Sequence, residues 1–494
     1  MADRPKFEVS SAPAHEVQAD LLVIPVFEGP LPGPGVLEVS QASGTDLVGV
    51  LRESGFLGRA GDRLLVPGGG IRARNTLLLG VGPGSDAGVS AVREAGMRAG
   101  AASAAYATVA STIPQLGAPV EDSARAFTEG FLLGAYRFER YKRGGGEPSK
   151  VEVVRELVPV SAREAIRRGT ILGAAATWTR DLVNTPAADA TPKLLADIAR
   201  EAASELGVAC KVWKKADLER GGFGGILAVG MGSGNSPYMV ELTSTNGPPD
   251  AKPIAITGKG ITFDSGGLTL KHSDMDWMKS DMAGAATALA TVRAVAELEL
   301  PLNVIAILPF AENMPGGSAI RPGDVVRHRG GRTSEILDTD SEGRVLLADA
   351  LAYLCEKEPA LILDSATLTD ASGLGPDLWA VMGTDPSAMA ELLQAGAEAG
   401  DRGWEIPLWS PYRRLIDSDA ADLKNLGDHG FDTAMMAALF LRDFVDEGVA
   451  WLHLDTGSSA WAEHETDLRP VGATGSPTPA FVRFMEHRAD GSAG

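Results

Sequence analysis

The chain has 494 residues, 44% hydrophobic and 22% charged, a balance that excludes a disordered or fibrous protein and leaves room for about two to three domains. Lys and Arg number 45 against 65 Asp and Glu, a net charge of −20, which argues against nucleic acid or an anionic membrane as a partner. Cys210 and Cys355 lie far apart with no C-x-x-C pair, no apolar run is long enough to span a membrane and no N-terminal h-region marks export, so a reducing, cytoplasmic location is expected.

Residues 19–27 (ADLLVIPVF) and 75–82 (NTLLLGVG) are apolar runs closed by Pro and Gly, and 89–104 is helix-forming. The Ala-rich stretch 95–110 carries Arg98 and small side chains, as a packed helix does. A polar, Gly-rich break at 142–150 and a strand-like VEVVRELVPV follow. Ser161 then opens SAREAIRRGTILGAAATWTRDLV, whose S-A-R-E start reads as a capping box on a long helix. The domain boundary falls in that helix: an N-terminal α/β domain over 1–160, a linker helix over 161–180, and a C-terminal catalytic α/β domain over 181–494.

In the second domain, residues 226–234, 253–260, 303–313, 360–368 and 450–455 are continuously apolar, as buried parallel strands are. Segments 282–298 and 345–356 have the length of crossover helices. The fold class is therefore α/β, two domains, each a mostly parallel or mixed sheet flanked by helices. Ligands bind beyond the carboxyl ends of such strands, which directs attention to the loops near Gly258, Ala311, Asp338, Thr367 and Asp455.

The seven histidines show no metal-pair spacing, and His453, inside an apolar run, reads as a core histidine. Ser265 lacks the leading glycine of a nucleophile elbow, and the glycines of GVGPG and GMGSG read as tight turns. The loop after 253–257 is different, gathering Lys259, Asp264, Lys271, Asp274, Asp276, Lys279 and Asp281 among glycines. In DTDSEGR, Asp338, Asp340 and Glu342 alternate, so an extended backbone projects all three carboxylates to one side. They are either a cation site or an acidic helix N-terminus. Two carboxylate-rich loops at one sheet edge imply hard-ligand cations, enough for two metals, with metal-assisted hydrolysis or phosphoryl transfer as the chemistry.

GKGITFDSGG (258–267) and DTDSEGRVLLADAL (338–351) resemble the signatures of the leucyl aminopeptidase (cytosol aminopeptidase) family of dimetal exopeptidases. Similarity extends through 180–196, 275–289, ENMPGGSAIRPGDV, SATLTDA, ADLKN and 451–475, covering 165–494 well and the N-terminal domain weakly. The resemblance implies release of N-terminal residues from peptides. Its metal ligands would be Lys259, Asp264, Asp281, Asp340 and Glu342, with Asp264 and Glu342 shared between two divalent ions, Mn²⁺ or Zn²⁺. It makes Lys271 and Arg344 catalytic, Arg344 holding a bicarbonate general base. It assigns the substrate pocket to Met278, Thr367, Leu368, Asp370, Gly457 and Ala460, and the assembly to a homohexamer. Lys259 binds metal only after losing its proton, so its site is expected to weaken in acid.

Two departures stand out. Lys271 and Asp281 are one residue closer than in the family pattern, and Asp370 stands where glycine is usual beside the pocket. A carboxylate there either favours polar or basic N-terminal residues over leucine or faces solvent.

Overall fold

The computed structural model describes residues 4–117, 119–143, 149–427 and 430–491. The Gly-rich break at 142–150 thus has residues 144–148 outside the described residues, and His429 lies outside them too. The chain divides into two compact units, residues 1–177 with 464–470, and residues 178–463 with 471–494.

The first unit contains the strands β1 (Lys6–Val9), β2 (Leu21–Phe27), β3 (Leu31–Pro32), β4 (Arg63–Pro67), β5 (Asn75–Gly80), β6 (Thr108–Ser111) and β7 (Val153–Glu156). They form one sheet in the order β1-β7-β6-β2-β5-β4, with β3 on β2. The pairs among β1, β7, β6, β2 and β5 are parallel, whereas β3 and β4 add antiparallel edges. Along β2, Leu21 and Val23 face one core and Leu22, Ile24 and Val26 the other, so both faces are covered and the run is apolar throughout. Its helices are α1 (Val36–Ser43), α2 (Leu47–Glu53), α3 (Val89–Ala102) and α4 (Val120–Ala135). The Ala-rich stretch is helical only to Ala102; its end turns into β6, because Val109 and Ala110 pack inside the sheet.

The long helix α5 spans Arg163–Asn184, and the division between the units falls inside it, after Thr177. The capping box is not made. Ser161 lies in a short 3₁₀ turn, Val160–Ala162, and its hydroxyl donates to Glu121 Oε1, while Glu164 pairs with Arg167 and Arg168.

The second unit contains α6 (Pro192–Leu206), β8 (Ala209–Lys214), α7 (Lys215–Gly221), α8 (Gly224–Gly230), β9 (Tyr238–Thr245), β10 (Ile254–Gly258), β11 (Ile261–Asp264), α9 (Ala283–Glu297) and β12 (Asn303–Asn313). It continues with β13 (Val325–Arg327), β14 (Thr333–Glu335), α10 (Glu342–Cys355), β15 (Leu361–Ala366), β16 (Trp379–Gly383), α11 (Pro386–Ala399), β17 (Gly403–Glu405), β18 (Leu423–Lys424), α12 (Thr433–Arg442), β19 (Trp451–Asp455) and α13 (Thr478–Gly491). The main sheet runs β17-β16-β19-β15-β10-β12-β9-β8, with β11 on β12. Its centre, β19-β15-β10-β12, is parallel; β16 on one side and β9 and β8 on the other join antiparallel, and β17 lies parallel to β16. Residues 226–234, expected as a strand, form α8 and the turn after it. Ile226 and Val229 are buried at helical spacing against Leu347 and Leu351 of the same core, an arrangement a strand does not give. Among the described residues no helix is long and apolar enough to cross a membrane.

The register aligns the carboxyl ends of the central strands. Gly258 sits beside Ser365, and Ala366 beside Asp455. The loops that leave these ends therefore share one edge.

Candidate metal centre

Lys259 follows β10 directly, and its amide donates to Ser365 O at 2.9 Å. Its amine lies 2.8 Å from Asp281 Oδ1 and 2.8 Å from Glu342 Oε1, and donates to Thr367 O at 3.0 Å. Asp281 closes the 3₁₀ segment Met275–Ser280, and Glu342 is the first residue of α10. The carboxylates thus come from separate elements and meet at the sheet edge.

On the other side, Lys271 Nζ is 2.8 Å from Asp264 Oδ2 and 2.6 Å from Asp340 Oδ1. Asp264 Oδ1 accepts from Gly266 N at 2.9 Å and from Asn313 Nδ2 at 2.8 Å. Oxygens of Asp264, Asp340 and Glu342 lie within 4.8 Å of one another. Lys259, Asp264, Asp281 and Glu342 are 2–4% exposed, so this concentration of charge is withdrawn from water.

Burial first, and then the Asp264 charge, push Asp340 up to about 7. The same causes raise Glu342, and burial holds Asp281 well above the usual carboxylate range. Burial pulls Lys259 down, but Asp281, Glu342 and Asp264 outweigh it and hold its amine above the usual lysine value. Lys271 is raised likewise, its carboxylate neighbours outweighing its burial. Among protein groups alone, the acids resist ionising together and the amines keep their protons.

Several acid oxygens nevertheless lack hydrogen bonds. Asp281 Oδ2 and Glu342 Oε2 are buried with no partner, an expensive arrangement for polar atoms unless a cation meets them. A cluster of carboxylates with one amine fits divalent metal.

Arg344, two residues along α10 from Glu342, is 4% exposed and donates from Nη1 to Asn425 O at 2.9 Å; its Nε has no partner. Burial pulls it down to about 10 against the opposing charges of Asp455, Glu342 and Asp338.

The expected extended DTDSE segment is a turn followed by helix. Asp338 turns away from the cluster, its carboxylate accepting from Asp340 N at 2.9 Å and Ser341 Oγ at 3.0 Å. It caps the turn rather than joining a cation site, because Glu342 already belongs to α10.

The pocket residues separate into groups. Thr367 touches the cluster, donating from Oγ1 to Asp281 Oδ1 at 2.7 Å. A Cβ on Gly343 would lie 2.7 Å from Leu368 Cδ2 and 2.4 Å from Lys259 Cε, which puts Leu368 against the lysine stem. Asp370 is exposed, with its carbonyl accepting from Ser458 Oγ at 2.6 Å. Gly457 is small for a backbone reason, since a Cβ there would stand 1.6 Å from Thr369 O. Met278 is half-buried, its carbonyl accepting from Asp281 N at 3.2 Å. Ala460 is buried in its own turn, its amide donating to Thr456 O at 2.9 Å and its carbonyl accepting from Thr474 N at 3.1 Å. His453 is fully buried, with Nδ1 paired to Asp364 at 2.5 Å and Nε2 unpartnered.

Three site residues carry no role in the sequence reading. Asn313 also donates to Thr339 O at 3.0 Å, joining the two acidic loops. Thr339 donates to Gly266 O at 2.7 Å. Asn425 is the third. The only sequence signal for them is polar residues at the close of apolar runs, as in ENMP and ADLKN.

A model of the cytosol aminopeptidase family catalytic domain matches residues 177–482, and its N-terminal domain model matches 23–144. The chain belongs to the cytosol aminopeptidase family. Membership extends over the N-terminal domain, beyond the 165–494 where sequence similarity was clear. A protein named "Probable cytosol aminopeptidase" from Syntrophotalea carbinolica is 37% identical, the match covering 97% of this chain and 99% of that one. One of the same name from Streptomyces avermitilis is 38% identical over 98% and 99%. Among solved structures, the bottromycin maturation enzyme BotP in complex with Mn has a TM-score of 0.86 at 36% identity, over 95% of this chain and 100% of that one. A tomato leucine aminopeptidase mutant has a TM-score of 0.88 at 28% identity, over 99% and 98%. As a cytosol aminopeptidase family member the chain is a hydrolase, a metal-dependent aminopeptidase acting at the N-terminus of its substrate.

Proposed function

We propose that Lys259, Asp264, Asp281, Asp340 and Glu342 hold two divalent ions, Mn²⁺ or Zn²⁺, and that the chain removes N-terminal residues from peptides as a cytoplasmic homohexamer. The observation that carries this reading is the convergence of four carboxylates on one buried edge with an amine between two of them and oxygens left unbonded. The Mn complex of BotP supports the choice of metal. Bound ions supply Lewis acidity and lower the pKa of a coordinated water.

The chain's own residues do the rest. Lys271 Nζ, fixed between Asp264 and Asp340, is a donor for the scissile carbonyl oxygen as negative charge develops there. The guanidinium of Arg344, buried and with an unpartnered Nε, would hold an anion such as bicarbonate, which would supply a general base close to the attacking water. Water adds to the carbonyl carbon, the C–N bond breaks and the proton leaves with the amine. Thr367, Leu368 and Met278 form the wall where the first side chain rests, and Gly457, Ala460 and Asp370 belong to the surrounding loops.

Protein stripped with chelator and reconstituted with Mn²⁺ or Zn²⁺, assayed on aminoacyl anilides with free and with acetylated α-amines, tests the proposal. Metal-restored cleavage confined to free amines is expected, with Glu342→Ala losing both metal and turnover. Full activity after complete metal removal would overturn it.

A further inference from the structure

We propose that Asn425 is a positioning residue for the metal centre, its carboxamide latching the turn that presents Asp340 and Glu342 and its carbonyl holding Arg344. The proposal rests on Asp340 and Glu342 being metal ligands. Asn425 follows β18 and is 0% exposed. Its Oδ1 accepts from Leu337 N at 2.8 Å and Asp338 N at 3.3 Å. Its Nδ2 donates to Asp338 O at 2.6 Å and Ser341 O at 3.3 Å. Its own amide donates to Glu335 O at 2.9 Å, and its carbonyl accepts from Arg344 Nη1 at 2.9 Å.

The chemistry of this pattern is specific. The turn presents two amides and two carbonyls to a single buried side chain, and a neutral carboxamide supplies both acceptor and donors. An acid there would add another charge beside Asp338, Asp340 and Glu342, and an apolar residue would leave four backbone groups unsatisfied. Asn425 grips backbone only. It makes no bond to a carboxylate, so the oxygens of Asp340 and Glu342 stay free for cations while their positions are set. Through its carbonyl the same residue ties Arg344 to the turn, which links the anion-binding guanidinium to the ligand loop.

The test titrates the metal-stripped full chain with Mn²⁺, following folding by circular dichroism and thermal melting. Asn425→Ala is expected to bind Mn²⁺ about 10- to 100-fold more weakly. At saturating Mn²⁺ it should show a lowered kcat with KM nearly unchanged on an aminoacyl anilide, because the backbone carbonyl that holds Arg344 remains while the unlatched turn no longer fixes Asp340 and Glu342, and the substrate pocket is untouched. A folded Asn425→Ala with wild-type Mn²⁺ titration and wild-type kcat overturns the proposal. Where Asn425→Ala does not fold, Asn425→Asp decides, since it keeps the shape and both acceptor contacts and loses the two donor contacts. Wild-type titration in that variant overturns the latch, and a tenfold or greater weakening supports it. A wild-type chain that takes up no Mn²⁺ instead overturns the ligand reading itself, so the two failures are distinct.

Discussion

Lys259 and Asp370 show how single residues set this site. The Lys259 amine is held by Asp281 and Glu342 at ion-pair distance, which on the proposed ligand reading places its nitrogen among the other ligands once its proton leaves. Asp370 is the carboxylate that the family resemblance did not anticipate. It is exposed, has no salt-bridge partner among the described residues, and stands three positions beyond Thr367, which bonds the cluster. If Asp370 faces the pocket, a basic first side chain is attracted through partly screened contact, an effect of the size of a surface ion pair. Asp370→Gly is expected to lower the ratio of kcat/KM for lysyl over leucyl anilides by about two- to fivefold. An unchanged ratio would mean that Asp370 faces solvent only.

At the scale of elements, the site depends on how closely α9 sits against the sheet. A Cβ on Gly284, in the first turn of α9, would lie 1.9 Å from Ser365 O and 2.8 Å from Lys259 N. Ala285 N donates to Lys259 O at 2.9 Å, so this contact places Lys259, the first of the proposed ligands. Gly284→Ala is expected to cost about 1–3 kcal/mol in urea unfolding and to reduce turnover in the folded fraction, as the sheet edge shifts at Lys259. A loss below about 0.5 kcal/mol would contradict the close approach. The central strands were legible in the sequence because β10, β12, β15 and β19 are largely buried on both faces, which makes their text mostly apolar, with Asp364 and His453 inside it paired to each other. The same logic misread α8: a short, glycine-rich helix buried on most sides has no polar face to reveal its period. Asp338 was misplaced for a related reason, since alternation in sequence predicts one face only on an extended backbone, and a turn intervenes. The acid-rich cluster was legible through charge gathered at strand ends, and the five proposed ligand positions within it only through the family resemblance. Asn313 and Asn425 were not, because a neutral amide announces nothing until its distant partners are known.

Stability belongs to the whole molecule, and one buried acid gives it a pH dependence. Glu156, on β7, is 0% exposed, accepts from the Thr128 hydroxyl and leaves Oε2 without a partner. Burial raises its pKa well above the ordinary glutamate value, against the lowering effect of the Thr128 bond. The folded chain therefore holds this proton more tightly than the unfolded chain. The associated stability is complete below the unfolded glutamate pKa and is lost as pH rises toward the folded one. Glu156→Gln keeps the acceptor and removes the ionisation, so its Tm relative to wild type should climb between pH 5 and pH 8. A difference in Tm that stays flat over that range would contradict the buried, protonated state.

The pairing of β14 with β18 has a consequence in time. Leu337 and the amide that holds it are 88 residues apart in the chain. At about 5–20 residues per second, the carboxylate turn leaves the ribosome roughly 4–18 s before its latch exists. If the acids are the proposed metal ligands, the nascent chain carries them without their latch, and metal loading is expected to follow the docking of the strand after residue 422. A fragment that ends before that strand contains every proposed ligand and lacks their latch, so it is expected to bind Mn²⁺ more weakly than the full chain.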